Sequence, residues 1–155
     1  MGETLDDTDK KLIALLQEDG QRSMADLSKA IGIASSTLND RVKRLQRQGI
    51  ITGFHAHVSP EALGLSLTAF VFVGWNDADV ETAFLKRIAS AEQVLECHHV
   101  TGGWNYLMKV RVKDTRALEG FLGGVLKQIA GLQRTETLIV LSSPKETITV
   151  PAGLV

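Results

Sequence analysis

Residues 23–51, SMADLSKAIGIASSTLNDRVKRLQRQGII, decide the fold of the first third of this 155-residue chain. The stretch contains two short amphipathic patterns that meet at Gly32, a residue type that commonly ends helices. In the second pattern Leu38, Val42 and Leu45 recur at i, i+4 and i+7, which predicts one buried face. The stretch therefore predicts a helix, a tight turn and a second helix.

Capping signals place the starts of these helices. Ser23 and Asp26 have the capping-box spacing before the first pattern. Upstream, Asp6 precedes another apolar periodic run and predicts the N-cap of an additional helix. The start of the helix after Gly32 is left open, because Ser35 is the better cap chemically whereas Ala34 would allow a hydrophobic staple.

Charge is segregated along this part of the chain. Residues 3–9 hold four acidic groups and no basic one, and residues 41–47 hold four basic groups and no acidic one. The net charge of the whole chain is only −1. Because charges are screened over about 8 Å in cytoplasmic salt, the local patch and not the total governs attraction to phosphates.

A basic second helix after a tight turn is typical of proteins that insert this helix into the DNA major groove. Short polar side chains at its start can approach base edges, and long basic ones can reach phosphates. A charge run is also often mere solvated surface, and this alternative stays open. The predicted residues contacting double-stranded DNA are Ser35, Ser36, Thr37, Asn39, Asp40, Lys43, Arg44 and Arg47. If these cations and Arg41 all neutralised phosphates in a dimer, the log–log salt slope would be roughly −7.

Residues 50–58 alternate between apolar and polar types and predict a strand that links two domains. A short helical turn is expected to follow at Pro60. His55 and His57 would share one face of this strand, where two histidines can ligate a metal. No cysteine or carboxylate pattern accompanies them, so linker polar residues are the preferred interpretation.

The remaining chain predicts four strands and two helices in the order βαββαβ, which is the ferredoxin-like arrangement. The predicted strands are residues 67–75, 94–101, 104–113 and 132–141, and the predicted helices are residues 77–89 and 115–130. The fold class is therefore α+β, with a winged-helix-like helix-turn-helix domain over 1–52, a linker strand and turn over 53–64, and a βαββαβ domain over 65–155.

One face of the predicted sheet lacks a covering layer. Helices can cover the side of Tyr106 and Met108, whereas Phe70 and Phe72 point to the other side. An apolar sheet face without a third layer predicts a partner subunit, and a dimer suits two DNA half-sites. The single Cys97, expected in the core with Leu95 on the same face, cannot form an internal disulfide. With no signal peptide or membrane-length apolar run, the expected location is cytoplasmic.

Three segments together resemble the Lrp/AsnC (feast/famine) family of transcriptional regulators: LDDTDKKLIALLQEDGQRS, DLSKAIGIASSTLNDRVKRLQRQGIITGF and ECHHVTGGWNYLMKVRV. The resemblance extends from about Leu5 to Val150. It implies amino-acid sensing and a dimer that assembles further to a tetramer or octamer. It also implies an amino acid or related metabolite as effector, with no cofactor or bound metal.

In that family the effector lies between dimers near the loop that joins the second and third strands. The residues implied here are Thr101, Gly102, Gly103, Trp104, Asn105 and Tyr106, with Thr135 and Thr137 from a neighbouring subunit. The family usually has an aspartate at the position of Asn105. An amide binds an ammonium group more weakly than a carboxylate, so this departure indicates an altered ligand or a loss of amino-acid sensing. The alternative is that Gly102 and Gly103 form only a hairpin turn.

Two other functions remain as alternatives to a sequence-specific regulator. Siroheme decarboxylase subunits resemble the same fold and use histidines, and this chain has four. The intact basic helix argues against that enzyme, and the sequence shows no other catalytic pattern. The second alternative is an architectural protein that compacts DNA without operator preference.

Overall fold

Three helices form the first part of the chain in the computed structural model, which describes residues 4–154. Helix α1 spans Asp7–Glu18, α2 spans Met24–Ile31 and α3 spans Ser35–Arg47. The Asp9 N–H donates to Asp6 Oδ1 at 2.7 Å, and the Asp6 N–H donates back to Asp9 Oδ2 at 3.3 Å. The predicted cap at Asp6 is therefore confirmed, and Asp9 completes a capping box.

The structure of the turn before α3 shows which residue caps this helix. Gly32 ends α2 with φ +82°, a left-handed conformation that favours glycine. Ala34 is the N-cap of α3 and makes no side-chain cap. The Ser35 hydroxyl instead donates to the Met24 carbonyl at 3.3 Å and so links α3 to α2. The predicted buried stripe of α3 is confirmed, because its three residues belong to one hydrophobic core. The buried residues of this core are Leu12, Leu16, Leu27, Leu38, Val42 and Leu45.

The chain forms two compact units, residues 1–57 with 145–155, and residues 58–144. The sequence placed 145–155 in the C-terminal domain, whereas this tail packs in the first unit. The Gln17 side chain donates to the Val150 carbonyl and accepts from the Val150 N–H, both at 2.8 Å. Sequence periodicity carries no signal for a contact between positions so distant in the chain.

The strand predicted over residues 50–58 is absent from the described chain, where residues 52–58 have no regular structure and are exposed. An extended segment counts as a strand only when a neighbour satisfies its backbone groups, and none lies beside it here. The turn expected at Pro60 is present: the Leu63 and Leu65 N–H groups donate to the Pro60 carbonyl.

The second unit confirms the βαββαβ order. Strands β1 (Leu67–Gly74), β2 (Val94–His99), β3 (Tyr106–Val112) and β4 (Arg134–Ile139) form one antiparallel sheet in the order β2-β3-β1-β4. Helices α4 (Val80–Ala89) and α5 (Thr115–Phe121) complete the unit. The helix predicted to reach Ala130 is shorter, because α5 passes into a π-helical turn at Leu122–Leu126, a glycine-rich segment.

The two faces of this sheet differ in burial. On the helix side, Val71, Val73, Met108 and Val110 have no exposed surface. On the other side, Phe70 and Phe72 are partly exposed and Leu138 is 49% exposed. We name this second side the open face; its pairs across the strands include Phe70 with Lys109 and with Leu138, and Phe72 with Leu107 and with Glu136.

The position predicted for Cys97 is only partly correct. Its thiol packs against the helix-side core, and burial raises its pKa. Leu95, expected on the same face, is 56% exposed. A register shift between Val94 and Glu96 explains the difference, because an extra residue in a strand breaks the two-residue alternation of faces.

Candidate DNA-binding surface and effector loop

The outer face of α3 presents most of the predicted DNA-contacting residues. Ser36, Thr37, Asp40, Lys43 and Arg47 are exposed, and Ser35, Asn39 and Arg44 are half-buried. Within the described residues, the Lys43 and Arg47 side chains make no hydrogen bond or ion pair. Their charges are therefore available to an anionic partner.

Arg44 lies in a different environment. Its Nη2 contacts Asp9 Oδ2 at 2.6 Å, while Arg41 Nη1 contacts Asp9 Oδ1 at 2.8 Å and Asp6 Oδ2 at 2.7 Å. Asp9 is only 1% exposed. We call these four residues, Asp6, Asp9, Arg41 and Arg44, the α1–α3 ion cluster. One of the three basic residues predicted to contact DNA, Arg44, is thus held by a carboxylate of the same unit, as is the neighbouring Arg41.

The ion cluster perturbs the charged groups at its edge. The hydrogen bond from Arg41 lowers the pKa of Asp6, and the backbone hydrogen bond from Asp9 lowers it further. The same contacts raise the pKa of Arg41. The sequence pattern identified Asp6 only as a helix cap, and Asp9 only as one of the acidic groups of residues 3–9. Asp6 and Asp9 are three residues apart, and so are Arg41 and Arg44. Residues at this spacing lie on the same side of a helix, and this is the sequence signal that could have predicted the cluster.

The loop between β2 and β3, residues 100–105, is fixed to the end of β1 by Asn105. The Asn105 N–H donates to the Val73 carbonyl at 2.9 Å, and Asn105 Oδ1 accepts from the Trp75 N–H at 2.9 Å. Gly102 has φ +102°, which explains the need for glycine there. Asn105 therefore serves the loop structure through its oxygen, while its Nδ2 makes no hydrogen bond within residues 4–154.

The other predicted effector residues are divided between the two sides of the sheet. The Trp104 ring contacts Phe72 on the open face, with ring centroids 5.8 Å apart. Tyr106 lies in the helix-side core, where its hydroxyl donates to Glu81 Oε1 at 2.7 Å. This bond, together with burial, raises the pKa of Tyr106 to about 12.

Thr135 and Thr137 also belong to the helix side. They pair in register with Val73 and Val71, both fully buried, and residues paired across strands share a face. Thr135 lines a cavity of about 320 Å³ between α5 and β4. A pocket that contains both Trp104 and these threonines therefore requires a second chain, as the sequence interpretation assumed.

The histidines form no metal site in the part of the chain that the structure describes, where no group of three His, Cys, Asp or Glu side chains comes together. His98 Nε2 lies 3.2 Å from Glu96 Oε2, and His99 stacks on Tyr106 at 4.9 Å. The hydrogen bond with His98 is the main cause of a lowered Glu96 pKa. None of the described helices is long and apolar enough to cross a membrane.

A helix-turn-helix unit joined to a ferredoxin-like α/β unit defines a class of DNA-binding regulators with a ligand-binding module. The family model for winged helix-turn-helix DNA binding matches residues 5–52, and that for the Lrp/AsnC ligand-binding domain matches residues 68–150. The chain belongs to the Lrp/AsnC family of transcriptional regulators, which confirms the resemblance.

Individual relatives match nearly the whole chain. The HTH-type transcriptional regulator FL11 of Pyrococcus furiosus is 37% identical over 147 residues, which cover 95% of this chain and 96% of that protein. The leucine-responsive regulatory protein of Escherichia coli K12 is 36% identical, covering 94% and 90%. A crystal structure of a Neisseria meningitidis transcriptional regulator in complex with L-methionine superposes with TM-score 0.91 at 32% identity, covering 96% and 97%.

These matches bear directly on the alternatives left open by the sequence. The curated relatives are named as transcriptional regulators and not as enzymes. The chain is therefore a transcriptional regulator with a helix-turn-helix unit and a ligand-binding unit, and the expectation that it is not an enzyme is confirmed.

Proposed function

We propose that this regulator binds specific double-stranded DNA sites through α3, and that a small carboxylic metabolite controls this binding. The observation that carries the DNA-binding part is the exposed face of α3. There Lys43 and Arg47 have no acidic partner among residues 4–154, and the exposed Ser36 and Thr37 lie about two turns from Lys43 and about three from Arg47, towards the helix start. Short polar groups at this end can approach bases while the cations contact phosphates.

The test is a gel-retardation assay with a duplex selected from a random-sequence pool by the wild-type protein. Lys43→Ala/Arg47→Ala should abolish retardation of this duplex while the protein remains folded. Lys11→Ala/Lys86→Ala, which removes two exposed cations elsewhere, is the matched control and should retard it normally. Unchanged retardation by the first variant would contradict the assignment. Failure to enrich any sequence, with even protection of all duplexes, would instead favour the architectural alternative.

The open face supports a homodimer. Phe70, Phe72 and Leu107 are partly exposed on it beside Leu138, and apolar groups in contiguous patches mark interaction sites. Each dimer would present two α3 helices to two half-sites. Phe72→Glu should shift sedimentation towards the monomer, whereas Leu85→Glu, which changes an exposed leucine of α4, should not.

The effector is proposed to bind at the loop of residues 101–105, with Thr135 and Thr137 supplied by another subunit. The support is the match to the ligand-binding domain and the L-methionine complex of the Neisseria meningitidis regulator. Thermal shifts with individual amino acids and related metabolites, with and without the selected duplex, test ligand identity and its coupling to DNA together.

A further inference from the structure

Asp40 is the single acidic residue of α3, and it lies within the exposed cationic side of this helix. At 3.6 residues per turn, Ser36, Asp40, Lys43 and Arg47 fall within a sector of roughly 60° of the helix circumference. All four side chains are exposed. We call these four residues the α3 stripe. The stripe that presents two cations to DNA in the proposed function therefore also presents one carboxylate.

The structure shows no internal role for this carboxylate. Asp40 makes no hydrogen bond or ion pair within residues 4–154. It is the sixth residue of α3, which is beyond the first turn, where a carboxylate caps a helix or interacts favourably with its dipole. Every other aspartate of the chain accepts a hydrogen bond or, like Asp7 and Asp79, lies at the start of a helix. Asp40 is therefore not explained by the stability of its own helix.

A carboxylate on a helix that enters the major groove has an electrostatic cost, because the DNA phosphates repel it. A neutral side chain at the same position would avoid this repulsion. The repulsion is offset only if the carboxylate accepts a hydrogen bond from the DNA. In the major groove the donors are the base amino groups, N4 of cytosine and N6 of adenine.

Cytosine suits a carboxylate better than the other three bases. Its own major-groove edge presents the N4 donor and no acceptor, whereas adenine presents the N7 acceptor beside its N6 donor. Guanine and thymine present only acceptors to hydrogen bonding in this groove. An aspartate side chain is short, so it reaches a base only where the helix lies close to the groove floor. Ser36, about 6 Å nearer the helix start, is small enough to permit that approach.

This inference rests on the proposed binding of DNA through α3. We propose that Asp40 recognises a cytosine in each half-site by accepting a hydrogen bond from its N4 amino group, and so determines specificity at one base pair. Lys43 and Arg47 attract the phosphates of any sequence, whereas Asp40 discriminates between bases. Loss of the carboxylate should therefore relax the choice of base at this position without weakening attraction to the backbone.

The test starts from duplexes selected from a random-sequence pool by the full-length wild-type protein. One position in each half-site should require cytosine. Exchange of this base pair for any other should weaken wild-type binding by about tenfold, as measured by fluorescence anisotropy. N4-methylcytosine at this position should have the same effect, because the methyl group replaces the amino hydrogen that points into the groove while pairing with guanine is kept.

Two variants separate recognition of a base from simple charge. Asp40→Ala should bind the cytosine, N4-methylcytosine and exchanged duplexes within about twofold of one another, and keep the wild-type preference at all other positions. Asp40→Asn should change the preferred base to adenine, because an amide accepts from N6 and donates to N7. Asp7→Asn, which removes an exposed carboxylate from α1, is the matched control and should select the wild-type sites. Circular dichroism confirms that each variant is folded.

The outcomes distinguish this inference from the proposed function. If both Asp40 variants select the wild-type sites, Asp40 recognises no base and the inference is wrong, while DNA binding through α3 stands. A uniform gain in affinity of Asp40→Ala for every duplex, with unchanged base preference, would show only the loss of repulsion and would also overturn it. Failure of the wild-type protein to enrich any sequence would instead refute the proposed function, and this inference with it.

Discussion

Arginines at the two candidate sites, one in each unit, have different kinds of partner. In the first unit, Arg41 and Arg44 contact carboxylates of α1, one of which is almost completely buried. In the second unit, Arg134 contacts the Gly103 carbonyl and the Trp104 ring and has no carboxylate partner in residues 4–154. Whether an arginine is available to a ligand therefore depends on whether the fold places a carboxylate within ion-pair distance of it. This cannot be inferred from the arginine's position on a helix or strand alone.

The largest expected effect concerns the buried carboxylate of the ion cluster. Asp9→Asn should lower the free energy of unfolding by about 3 kcal/mol, because two arginines lose their shared buried partner. Asp7→Asn, which changes an exposed carboxylate two residues before Asp9, should lower the free energy of unfolding by less than about 1 kcal/mol. Urea denaturation followed by circular dichroism measures both. Equal midpoints for the two variants would show that the cluster contributes no more than an exposed charge.

The salt dependence of DNA binding tests the same comparison in solution. With only Lys43 and Arg47 available in each chain of a dimer, the log–log slope should be roughly −4 and not −7. Fluorescence anisotropy of the labelled selected duplex across a salt series gives the slope. A value near −7 would mean that Arg41 and Arg44 leave Asp6 and Asp9 to contact phosphates.

Tyr106, the single tyrosine of the chain, reports whether Glu81 is engaged on the helix side. Its phenolate absorbance should appear with a pKa of about 12. Because this folded-state pKa lies above the ordinary value of 10, the stabilising contribution is complete below pH 10 and is lost as pH rises towards 12. Glu81→Gln should lower the tyrosine pKa. Ordinary titration of wild-type Tyr106 would contradict its hydrogen bond to Glu81 in solution.

The smallest effect is expected at the C-terminal tail. Gln17→Ala removes both hydrogen bonds to Val150 and should lower the free energy of unfolding by about 1 kcal/mol. Lys11→Ala, an exposed change on the same helix, is the control and should be nearly neutral. Protection of the tail from carboxypeptidase should fall only in the Gln17 variant. Identical protection in both would exclude Gln17 as the residue that holds the tail.

Local patterns were sufficient for most of the architecture. Caps at Asp6 and Ser23, the stripe of Leu38, Val42 and Leu45, and the βαββαβ order all follow from neighbours within a few residues in sequence. Helix and strand periodicities express contacts of this short range, so they can be read before folding is known. The exceptions were the end of α5, where glycines weaken the helix, and Leu95, where the register shift reverses its face.

The candidate sites were predicted less completely. The sequence identified the exposed side of α3 and the hairpin at Gly102, because turn glycines and charge runs are local features, whereas the role of this loop as an effector site was implied only by the family resemblance. It could not show that Asp9 neutralises Arg44, that Tyr106 points away from the loop, or that Arg134 lies over Trp104. Each of these contacts joins residues that are at least 25 positions apart in sequence.

By itself, the sequence determined which segments become helices and strands, which faces are apolar, and where positive charge is concentrated. Only the tertiary structure decided which of the charges remain available, because an ion pair depends on the distance between two side chains that folding brings together. The same reason applies to the tail at Val150 and to the Arg134 guanidinium over Trp104, whose positions are set by packing in three dimensions and not by any local pattern.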